Sequence, residues 1–283
     1  MLDDVLPYLR CPVCERALER FADTDAGSLV CATGHRFDVA RQGYVNLLPG
    51  GARPGTADTA EMLANRAAVQ AAGHFRPVAD ALAAQVAAHL PPEAALVLDV
   101  GAGTGYYLAN VLDEAPQAVG LALDISKHAA RRAARCHPRA GAVVADAWQP
   151  LPVQDTSARA VLNVFAPRTA PELRRVLHED GVLAVVVPAP DHLTELVEPL
   201  GLLRVDDDKA ADLRRNFAPS LVLHGEQHVT YPTRMTRDEV VSVAGMGPSA
   251  WHTDSASLAA RAASLPDAAT VTVSVHLMIF RPG

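Results

Sequence analysis

Four residues near the N-terminus have the types and the spacing of a metal site. Cys11 and Cys14 form a C-x2-C pair, and Cys31 and His35 form a C-x3-H pair after sixteen intervening residues. Three thiolates and one imidazole complete the tetrahedral coordination of a structural zinc ion and leave no open position for a substrate. We therefore predict one structural Zn2+ per chain. The alternatives are a redox C-x-x-C pair, which lacks its usual strand–helix context here, and reduced cysteines without a ligand.

A second cluster follows an apolar segment further along the chain. The sequence A-L-V-L-D-V at 95–100 predicts a strand buried on both faces, and Gly101, Gly103 and Gly105 predict a sharp turn into a helix. Such glycines let the backbone approach a ligand closely at the positive N-terminus of the helix. The spacing G-x-G-x-G after Asp99 differs from the G-x-G-x-x-G of dinucleotide sites. It resembles the first motif of the class I S-adenosylmethionine (SAM) methyltransferases, and the alternative is a tight strand–helix connection without a ligand.

Acidic residues end three successive predicted strands. Because ligands bind outside the carboxyl ends of strands in an open α/β sheet, Asp99, Asp124 and Asp146 should share one crevice. We expect Asp124 to accept both ribose hydroxyls of SAM, Asp146 and Ala147 to hold the adenine, and Asp99 to orient the ammonium group. The predicted cofactor-binding residues are Asp99, Gly101, Ala102, Gly103, Gly105, Tyr106, Asp124, Ile125, Asp146, Ala147 and Asn163. A single Asp after a strand is otherwise a helix cap or a turn residue.

Methyl transfer from a sulfonium needs an acceptor held in line with the S–CH3 bond in a site that excludes water. The segment 163–168, N-V-F-A-P-R, ends the fourth predicted strand and is the expected acceptor wall. Asn163 would offer an amide to a planar base, Phe165 a stacking surface, and Pro167 a fixed loop. Arg168 would meet a phosphate or carbonyl, and His192 would face the same pocket. The alternatives are core packing for Phe165, a surface salt bridge for Arg168, and a structural or capping role for His192.

Strands and helices that alternate after residue 95 predict an α/β fold with a doubly wound parallel sheet. Two later β-rich segments, 221–230 and 270–280, complete a seven-stranded sheet as an antiparallel C-terminal pair. We expect three parts: a zinc-ribbon-like domain at 1–48, a Pro/Gly-rich linker at 49–58, and a Rossmann-like SAM methyltransferase domain at 59–283.

Composition restricts the environment and the partners of the chain. With 49% hydrophobic and 20% charged residues, the 283 residues have the composition of a globular protein. No apolar segment is long enough to span a bilayer and the first residues lack a secretory signal, so we predict a cytoplasmic protein without membrane contact. The net charge of −7 requires that any RNA substrate bind a local basic surface. The candidates are Arg10, Arg16, Arg36 and Arg41 near the cysteines, and Arg131, Arg132, Arg135 and Arg139 in a predicted helix.

These motifs together resemble one enzyme family over essentially the whole chain. The cysteine–histidine set, F-D-x-A-x2-G-Y-V-N-L-L at 37–48, R-x7-H-F at 66–75, D-V-G-A-G-T-G at 99–105 and Ala166-Pro167 are similar to the 23S rRNA (guanine-N1-)-methyltransferases. The resemblance implies that Cys11, Cys14, Cys31 and His35 hold zinc. It also implies that the zinc domain helps grip 23S rRNA, that SAM occupies the crevice of strand-end acids and becomes S-adenosylhomocysteine, and that the enzyme forms a homodimer.

Three further segments resemble the actinobacterial tylosin-resistance branch of this family: 163–168, 201–205 and 247–252. That branch methylates N1 of guanine 748 in the hairpin-35 loop, beside the macrolide site, and its sister branch modifies a guanine three positions earlier. The resemblance therefore implies resistance to tylosin- or mycinamicin-type macrolides. Guanine N1 is protonated at neutral pH, so its proton must be removed. The sequence does not identify the base.

Two other hypotheses remain open at the level of sequence. The chain could methylate a small natural product and use its zinc domain as a lid or docking surface. It could also be a zinc-ribbon RNA-binding or assembly factor with a vestigial SAM crevice, although the intact glycine turn and the three acids argue against this. Methyl transfer to hairpin-35 RNA separates the first alternative from the rRNA enzyme, and SAM binding separates the second.

Overall fold

The structure is a computed structural model that describes residues 2–21, 27–50, 57–218, 220–247 and 255–283. Its N-terminal part begins with helix α1 (Leu2–Val5) and a short 3-10 helix (Leu6–Tyr8). A small antiparallel sheet follows, formed by β1 (Leu18–Phe21), β2 (Ser28–Cys31) and β3 (Arg36–Asp38). Of the four predicted zinc ligands, Cys31 ends β2, and Cys11, Cys14 and His35 lie in the loops beside this sheet.

A large mixed sheet forms the centre of the molecule. Its strands are β4 (Tyr44–Asn46), β5 (Ala95–Val100), β6 (Ala118–Asp124), β7 (Ala140–Val144), β8 (Ala158–Val164), β9 (Leu177–Pro188), β10 (Leu221–Thr236) and β11 (Ala268–Pro282). In the described residues their order is β10-β11-β9-β8-β5-β6-β7-β4. Strands β4 to β9 run parallel, and β10 and β11 form the antiparallel pair at one edge. The predicted α/β fold with an antiparallel C-terminal pair is confirmed.

The sheet has one strand more than the seven that the sequence predicts. The additional strand is β4, which pairs in parallel with β7 in the register Tyr44↔Ala142 to Asn46↔Val144. The N–H of Leu47 continues this ladder by donating to the carbonyl of Val144 at 2.9 Å. The last strand of the predicted zinc domain is therefore an edge strand of the large sheet.

Helices cover both faces of the sheet, which explains why the central strands are mostly apolar. Every residue of β5 and of β7 is buried, as expected for parallel strands packed on both sides. The helices are α2 (Ala60–Ala71), α3 (Arg76–Ala87), α4 (Tyr106–Glu114), α5 (Lys127–Ala133), α6 (Ala170–Val176), α7 (Thr194–Leu200), α8 (Lys209–Phe217), α9 (Arg237–Gly245) and α10 (Ser255–Ala262). Helices α7 and α8 are not predicted from the sequence. The core on one face includes α3, α4, α7, α9 and α10.

The opposite face of the sheet packs against the N-terminal part together with α6 and α8. Leu9 is fully buried in this second core, and it forms an isolated bridge with Val153. The N–H of Arg10 donates to the carbonyl of Pro152 at 3.1 Å. These contacts pack the N-terminal part against the large sheet. The domain boundaries 1–48 and 59–283 remain a proposal from the sequence.

Some predictions fall partly on residues outside the described ranges. Of the predicted linker at 49–58, residues 51–56 lie outside them, and so does most of the segment 247–252. Within the described ranges, no helix is long and apolar enough to cross a membrane. Of Asp58 and Thr59, either of which the sequence offers as the cap of α2, Thr59 is the cap: its side chain accepts a hydrogen bond from Met62 N–H at 3.2 Å.

Candidate active site and metal centre

The four predicted zinc ligands converge at one end of the small sheet. The Sγ atoms of Cys11, Cys14 and Cys31 and a ring nitrogen of His35 lie within 4.8 Å of one another. Cys14 Sγ is 3.6 Å from Cys31 Sγ, and His35 Nδ1 is 3.4 Å from Cys31 Sγ. Zn–S bonds of about 2.3 Å and Zn–N bonds of about 2.0 Å place tetrahedral ligands at about these separations. The Thr33 hydroxyl lies 3.1 Å from the sulfurs of Cys14 and Cys31, where it can stabilise thiolates. The donor set therefore fits a structural zinc ion.

The glycine turn after β5 adopts the backbone that its sequence predicts. Gly101, Gly103 and Gly105 have φ of +81°, +55° and +78°, a region that L-residues with a Cβ rarely occupy. A Cβ on Gly101 would also overlap the Cβ of Ala166, and one on Gly103 would lie 2.9 Å from Arg66 Nη1. The turn thus depends on glycine for both its conformation and its close approach to neighbouring elements.

Asp124, at the end of β6, lies beside this turn. Its Oδ2 accepts a hydrogen bond from Gly103 N–H at 2.8 Å, and its Oδ1 accepts one from Ser126 N–H at 2.8 Å. Burial raises the pKa of Asp124, and the two backbone donors partly oppose this effect. Asp146, at the end of β7, is held similarly, because its Oδ1 accepts from Trp148 N–H at 2.9 Å. Each carboxylate retains lone pairs that could accept further hydrogen bonds from a ligand.

Asp99 is the most deeply buried of the three strand-end acids. Its side chain is 2% exposed, and Oδ2 has no hydrogen-bond partner among the described residues. Burial, with a smaller contribution from the nearby charge of Asp124, raises the pKa of Asp99 to about 8. Asp99 does not line the cavity itself, so any influence on a ligand acts through the glycine turn or through its charge. In its ionised form this unpartnered carboxylate would favour a cationic ligand, and such a ligand would in turn lower the pKa of Asp99.

Helix α2 covers the glycine turn, a contact that the sequence does not predict. Arg66 forms an ion pair with Asp58 and donates from Nη2 to the carbonyl of Met246 at 3.0 Å. Gln70 Oε1 accepts a hydrogen bond from the Thr104 hydroxyl at 2.6 Å. Arg66 is the first residue of the R-x7-H-F motif, so the family resemblance was the only feature of the sequence that pointed to Arg66. These contacts close the cofactor side of the site.

A cavity of about 900 Å3 opens at the carboxyl ends of the strands. Its volume is in the upper part of the range for ligand pockets and is sufficient for SAM together with a nucleobase. The predicted residues that line it are Gly101, Ala102, Gly103, Asp124, Ile125, Asp146, Ala147, Phe165, Pro167, Arg168 and His192. Asp99, Gly105, Tyr106 and Asn163 do not line it. Tyr107 takes the place expected for Tyr106 at the cavity wall, and Gly105 instead packs near Cys136.

Asn163 is fully buried behind the residues that line the cavity and does not reach the cavity surface. Its amide nitrogen donates to the carbonyl of Val100 at 3.2 Å and to that of Pro167 at 3.0 Å. Its amide oxygen accepts from Arg168 Nη1 at 2.8 Å. Because both amide donors and the oxygen have partners within the chain, Asn163 positions the loop 164–168. The predicted contact of Asn163 with a base or with SAM has no support in this geometry.

Four rings surround one end of the cavity. Phe165 has φ of +52°, unusual for a bulky residue, and its side chain is 41% exposed. Its ring is stacked on that of His192, with 6.0 Å between centroids and 29° between planes. Phe75 and Tyr107 approach Phe165 edge-on, with centroid separations of 6.2 and 6.4 Å. An exposed aromatic ring held in a strained backbone conformation marks this end of the cavity as a binding surface.

The charged and polar side chains beside these rings are partly or largely buried. Burial lowers the pKa of Arg168, whose only hydrogen-bond partner among the described residues is Asn163. Burial also lowers the pKa of His192 to about 4, and its Nδ1 accepts a hydrogen bond from Ser274 N–H at 3.1 Å. His192 is therefore neutral with its proton on Nε2. This state does not fit the general base that a histidine beside the acceptor suggests.

The structure separates the predicted basic residues into two groups. Arg10 is 8% exposed and contacts Asp155, so it belongs to the packed interface and not to a surface for RNA. Arg139 donates to the carbonyls of Leu112, Ala115 and Ala118 and has a structural role. The exposed ones are Arg16, Arg36, Arg41, Arg131, Arg132 and Arg135. Other residues that line the cavity are not predicted from the sequence: Trp148, which is 60% exposed, Leu203 and Arg204 before α8, and Lys209 at its start.

Together, the strand order, the glycine turn and the crevice of acids define a class I SAM-dependent methyltransferase with an added zinc ribbon. Residues 9–53 match the family described as RlmA, N-terminal, and residues 97–181 match a methyltransferase domain. A protein of Micromonospora griseorubida with the provisional name 23S rRNA (guanine-N(1)-)-methyltransferase is 51% identical over 299 residues, which cover 100% of both chains. The 23S rRNA (guanine(748)-N(1))-methyltransferase of Streptomyces fradiae is 48% identical over 287 residues, covering 100% of this chain and 99% of that one. The chain belongs to the family of 23S rRNA (guanine-N1-)-methyltransferases.

A solved structure with a similar backbone supports the assignment of the fold. The YcgJ protein of Bacillus subtilis has a TM-score of 0.50 and 16% identity to this chain, covering 71% of this chain and 98% of its own. At this identity the likeness concerns the fold alone. SAM and a structural zinc ion are accordingly the cofactor and the metal of this protein.

Proposed function

We propose that this protein transfers a methyl group from SAM to N1 of guanine 748 in the hairpin-35 loop of 23S rRNA. The observation that supports this most directly is the 48% identity, over essentially both full lengths, to the Streptomyces fradiae enzyme named for guanine 748. The cavity geometry is consistent with it, because one space of about 900 Å3 joins the glycine turn to the aromatic rings around Phe165. Macrolide resistance of the tylosin or mycinamicin type is the biological role that this target implies.

We assign the two ends of the cavity to the two substrates. Asp124 would accept the ribose hydroxyls of SAM and Asp146 with Ala147 would hold its adenine, since these residues line the cavity at the ends of β6 and β7. Gly101 and Gly103 would allow the close approach of its methionine part, and Asp99 in its ionised form would favour its positive charge. The target guanine would stack on Phe165, and Arg168 would meet a neighbouring phosphate of the RNA.

The chemistry is an in-line displacement. SAM, held by the glycine turn, Asp124 and Asp146, would supply an electrophilic methyl group. The new C–N1 bond would replace the C–S bond, whose electron pair would remain on sulfur, and the N1 proton would pass to a water molecule. The chain's own residues exclude bulk solvent and orient the acceptor, with Asn163 fixing the loop that presents Phe165. The zinc ribbon and the exposed arginines Arg16, Arg36 and Arg41 would grip the RNA outside the cavity.

The decisive experiment is methyl transfer from labelled SAM to hairpin 35, with the modified base mapped by a primer-extension stop. We expect a stop at guanine 748. A stop three positions earlier would retain the family reaction and contradict both the target and the resistance role. Transfer to no RNA by a protein that still binds SAM would favour a small-molecule acceptor.

Two further parts of the proposal concern the assembly and location of the enzyme. Light scattering coupled to size exclusion should give the mass of a homodimer, as the family resemblance implies. A ribosomal RNA substrate also implies that the enzyme works where ribosomes are assembled, in the cytoplasm.

A further inference from the structure

One polar side chain in the cavity has a fixed hydrogen-bonding state and a role that has not been assigned. His192 follows β9, lines the cavity, and stacks its ring on that of Phe165 with 29° between the ring planes. The ring of Phe75 also contacts the His192 imidazole, with 6.1 Å between centroids. The imidazole is thus oriented by aromatic rings at the end of the cavity assigned to the target base.

The segment that contains His192 is clamped onto β11 by several hydrogen bonds. Ser274 donates its N–H to His192 Nδ1 at 3.1 Å, and its carbonyl accepts from Ala189 N–H at 3.0 Å. Leu193 N–H donates to the carbonyl of Thr272 at 2.8 Å, and the Glu195 carboxylate accepts from the Thr272 hydroxyl at 2.6 Å. These bonds fix the position of the imidazole before any substrate binds.

The bond from Ser274 also decides which ring nitrogen has the proton. A backbone N–H can only donate, so Nδ1 must be the unprotonated acceptor. Burial keeps the ring neutral at physiological pH, and the charges that act on it are those of Asp191, Glu195 and Lys209. A neutral ring with Nδ1 unprotonated has its proton on Nε2. The one polar group that His192 retains for a ligand is therefore a hydrogen-bond donor.

We propose that His192 donates a hydrogen bond from Nε2–H to the O6 carbonyl of the target guanine. This inference rests on the proposed function. Guanine presents a hydrogen-bond acceptor at O6, where adenine presents an amino donor. A histidine whose tautomer is fixed as a donor at Nε2 therefore favours binding of guanine over adenine. When N1 loses its proton, negative charge spreads onto O6, and a preorganised donor at that atom stabilises it. His192 thus contributes both to base specificity and to methyl transfer, and does not remove the proton.

Two substitutions separate the two nitrogens of the ring. In His192→Asn the amide oxygen can replace Nδ1 as the acceptor for Ser274, while the reach of Nε2 is lost. In His192→Gln the terminal amide N–H can replace Nε2 as the donor. We expect His192→Asn to lower kcat about 100-fold with SAM affinity unchanged, and His192→Gln to recover about tenfold of that loss. His128→Asn, at an exposed position on α5, is the control and should match the wild type.

Substrate changes test the contact from the other side. In hairpin-35 RNA with 6-thioguanine at the target, sulfur replaces O6 and is a poor hydrogen-bond acceptor. The ratio of the wild-type kcat to the kcat of His192→Asn should therefore be at least about fivefold smaller with this RNA than with guanine. In binding assays with adenine at the target, the wild type should discriminate against adenine at least about tenfold more strongly than His192→Asn does. The plots of log kcat against pH for the wild type and for His192→Asn should show the same inflections.

The outcomes distinguish this inference from the proposed function. If the wild type methylates hairpin 35 and His192→Asn is equally active, the donor role is wrong while the function stands. An inflection between pH 4 and 8 that disappears in His192→Asn would also overturn the donor role, because it would identify His192 as the base. If the wild type methylates no RNA but binds SAM, the proposed function fails, and this inference fails with it.

Discussion

Arg10 of the zinc-binding part and Asp155 of the methyltransferase part form an ion pair of 3.2 Å between Nη1 and Oδ1. The same Oδ1 atom lies 2.6 Å from Nη1 of Arg175, in the last turn of α6. Arg10 Nε and Arg175 Nη2 both donate to the carbonyl of Leu151. Two arginines from distant parts of the chain therefore share the same acceptors, and this network joins the ribbon to the catalytic unit.

Loss of Arg10 should loosen this junction. Arg10→Gln should lower the free energy of unfolding by about 1–2 kcal/mol, because a buried side chain loses an ion pair and a hydrogen bond to a carbonyl. Urea denaturation of the zinc-loaded protein measures the change. Arg16→Gln, in the same segment but exposed, is the matched control and should stay within about 0.5 kcal/mol of the wild type. Equal midpoints for the two variants would contradict the role of the network.

Cys14→Ser should release the metal. A serine hydroxyl is a poor zinc ligand, so metal content should fall well below one ion per chain and RNA methylation should be impaired. Elemental analysis of the purified protein measures this. Cys136→Ser is the control, because Cys136 lies outside the ligand cluster and should leave the metal content unchanged. Retention of one ion per chain in Cys14→Ser would show that the ligand set is wrong.

Asp124→Ala should weaken SAM binding. The variant loses the expected acceptor for the ribose hydroxyls and also the acceptor that holds Gly103 N–H, so we expect an increase in Kd of about 10- to 100-fold. Isothermal titration calorimetry with SAM gives the affinity directly. Glu114→Ala, an exposed acid at the end of α4, controls for the loss of one negative charge. Unchanged affinity in Asp124→Ala would remove the basis for placing the ribose at β6.

Asp99 should make stability and SAM affinity depend on pH. Its pKa is about 8 in the folded protein and near 3.8 in an unfolded chain, so the folded state holds the proton more tightly. The stabilisation from this proton is complete below about pH 4 and is lost as the pH rises to about 8. SAM is cationic, so its affinity should rise over the upper part of this range as Asp99 ionises.

Asp99→Asn isolates this effect, because the amide stays neutral at every pH. The melting temperature of the variant without SAM should fall less between pH 5 and about pH 8 than that of the wild type. Its SAM affinity should be lower and nearly independent of pH over the same range. Thermal melts and calorimetry at matched ionic strength provide both measurements. Parallel curves for the two proteins would exclude Asp99 as the titrating group.

Local sequence patterns were sufficient for the elements that build the cofactor site. The turn after β5 needs three positive φ angles, and only glycine adopts them without strain, so the motif determines the backbone. The cap at Thr59 and the acids at the ends of β6 and β7 are likewise determined by neighbouring residues. The zinc ligands were predictable because their chemistry requires a fixed set of donors at a characteristic spacing.

Features that depend on long-range packing were not predictable. The pairing of β4 with β7 involves only three residues, and nothing local distinguishes an edge strand of a small sheet from one of a large sheet. Helix α8 follows three consecutive acids and its composition is strongly polar, so the sequence is typical of a loop, although Leu213 and Phe217 form a buried face on the helix. Asn163 ends a buried strand, and whether it faces the cavity depends on the path of the following loop, which its own amide helps to fix.

The position of β4 has a consequence for any attempt to shorten this enzyme. β4 covers the outer edge of β7, a strand in which all five residues are buried. A fragment without residues 1–48 would leave the N–H and C=O groups of that edge unpaired next to apolar side chains. Such edges are templates for pairing between separate chains, which leads to aggregation. The isolated catalytic part should therefore precipitate, and the N-terminal part protects the sheet in addition to any contact it makes with RNA.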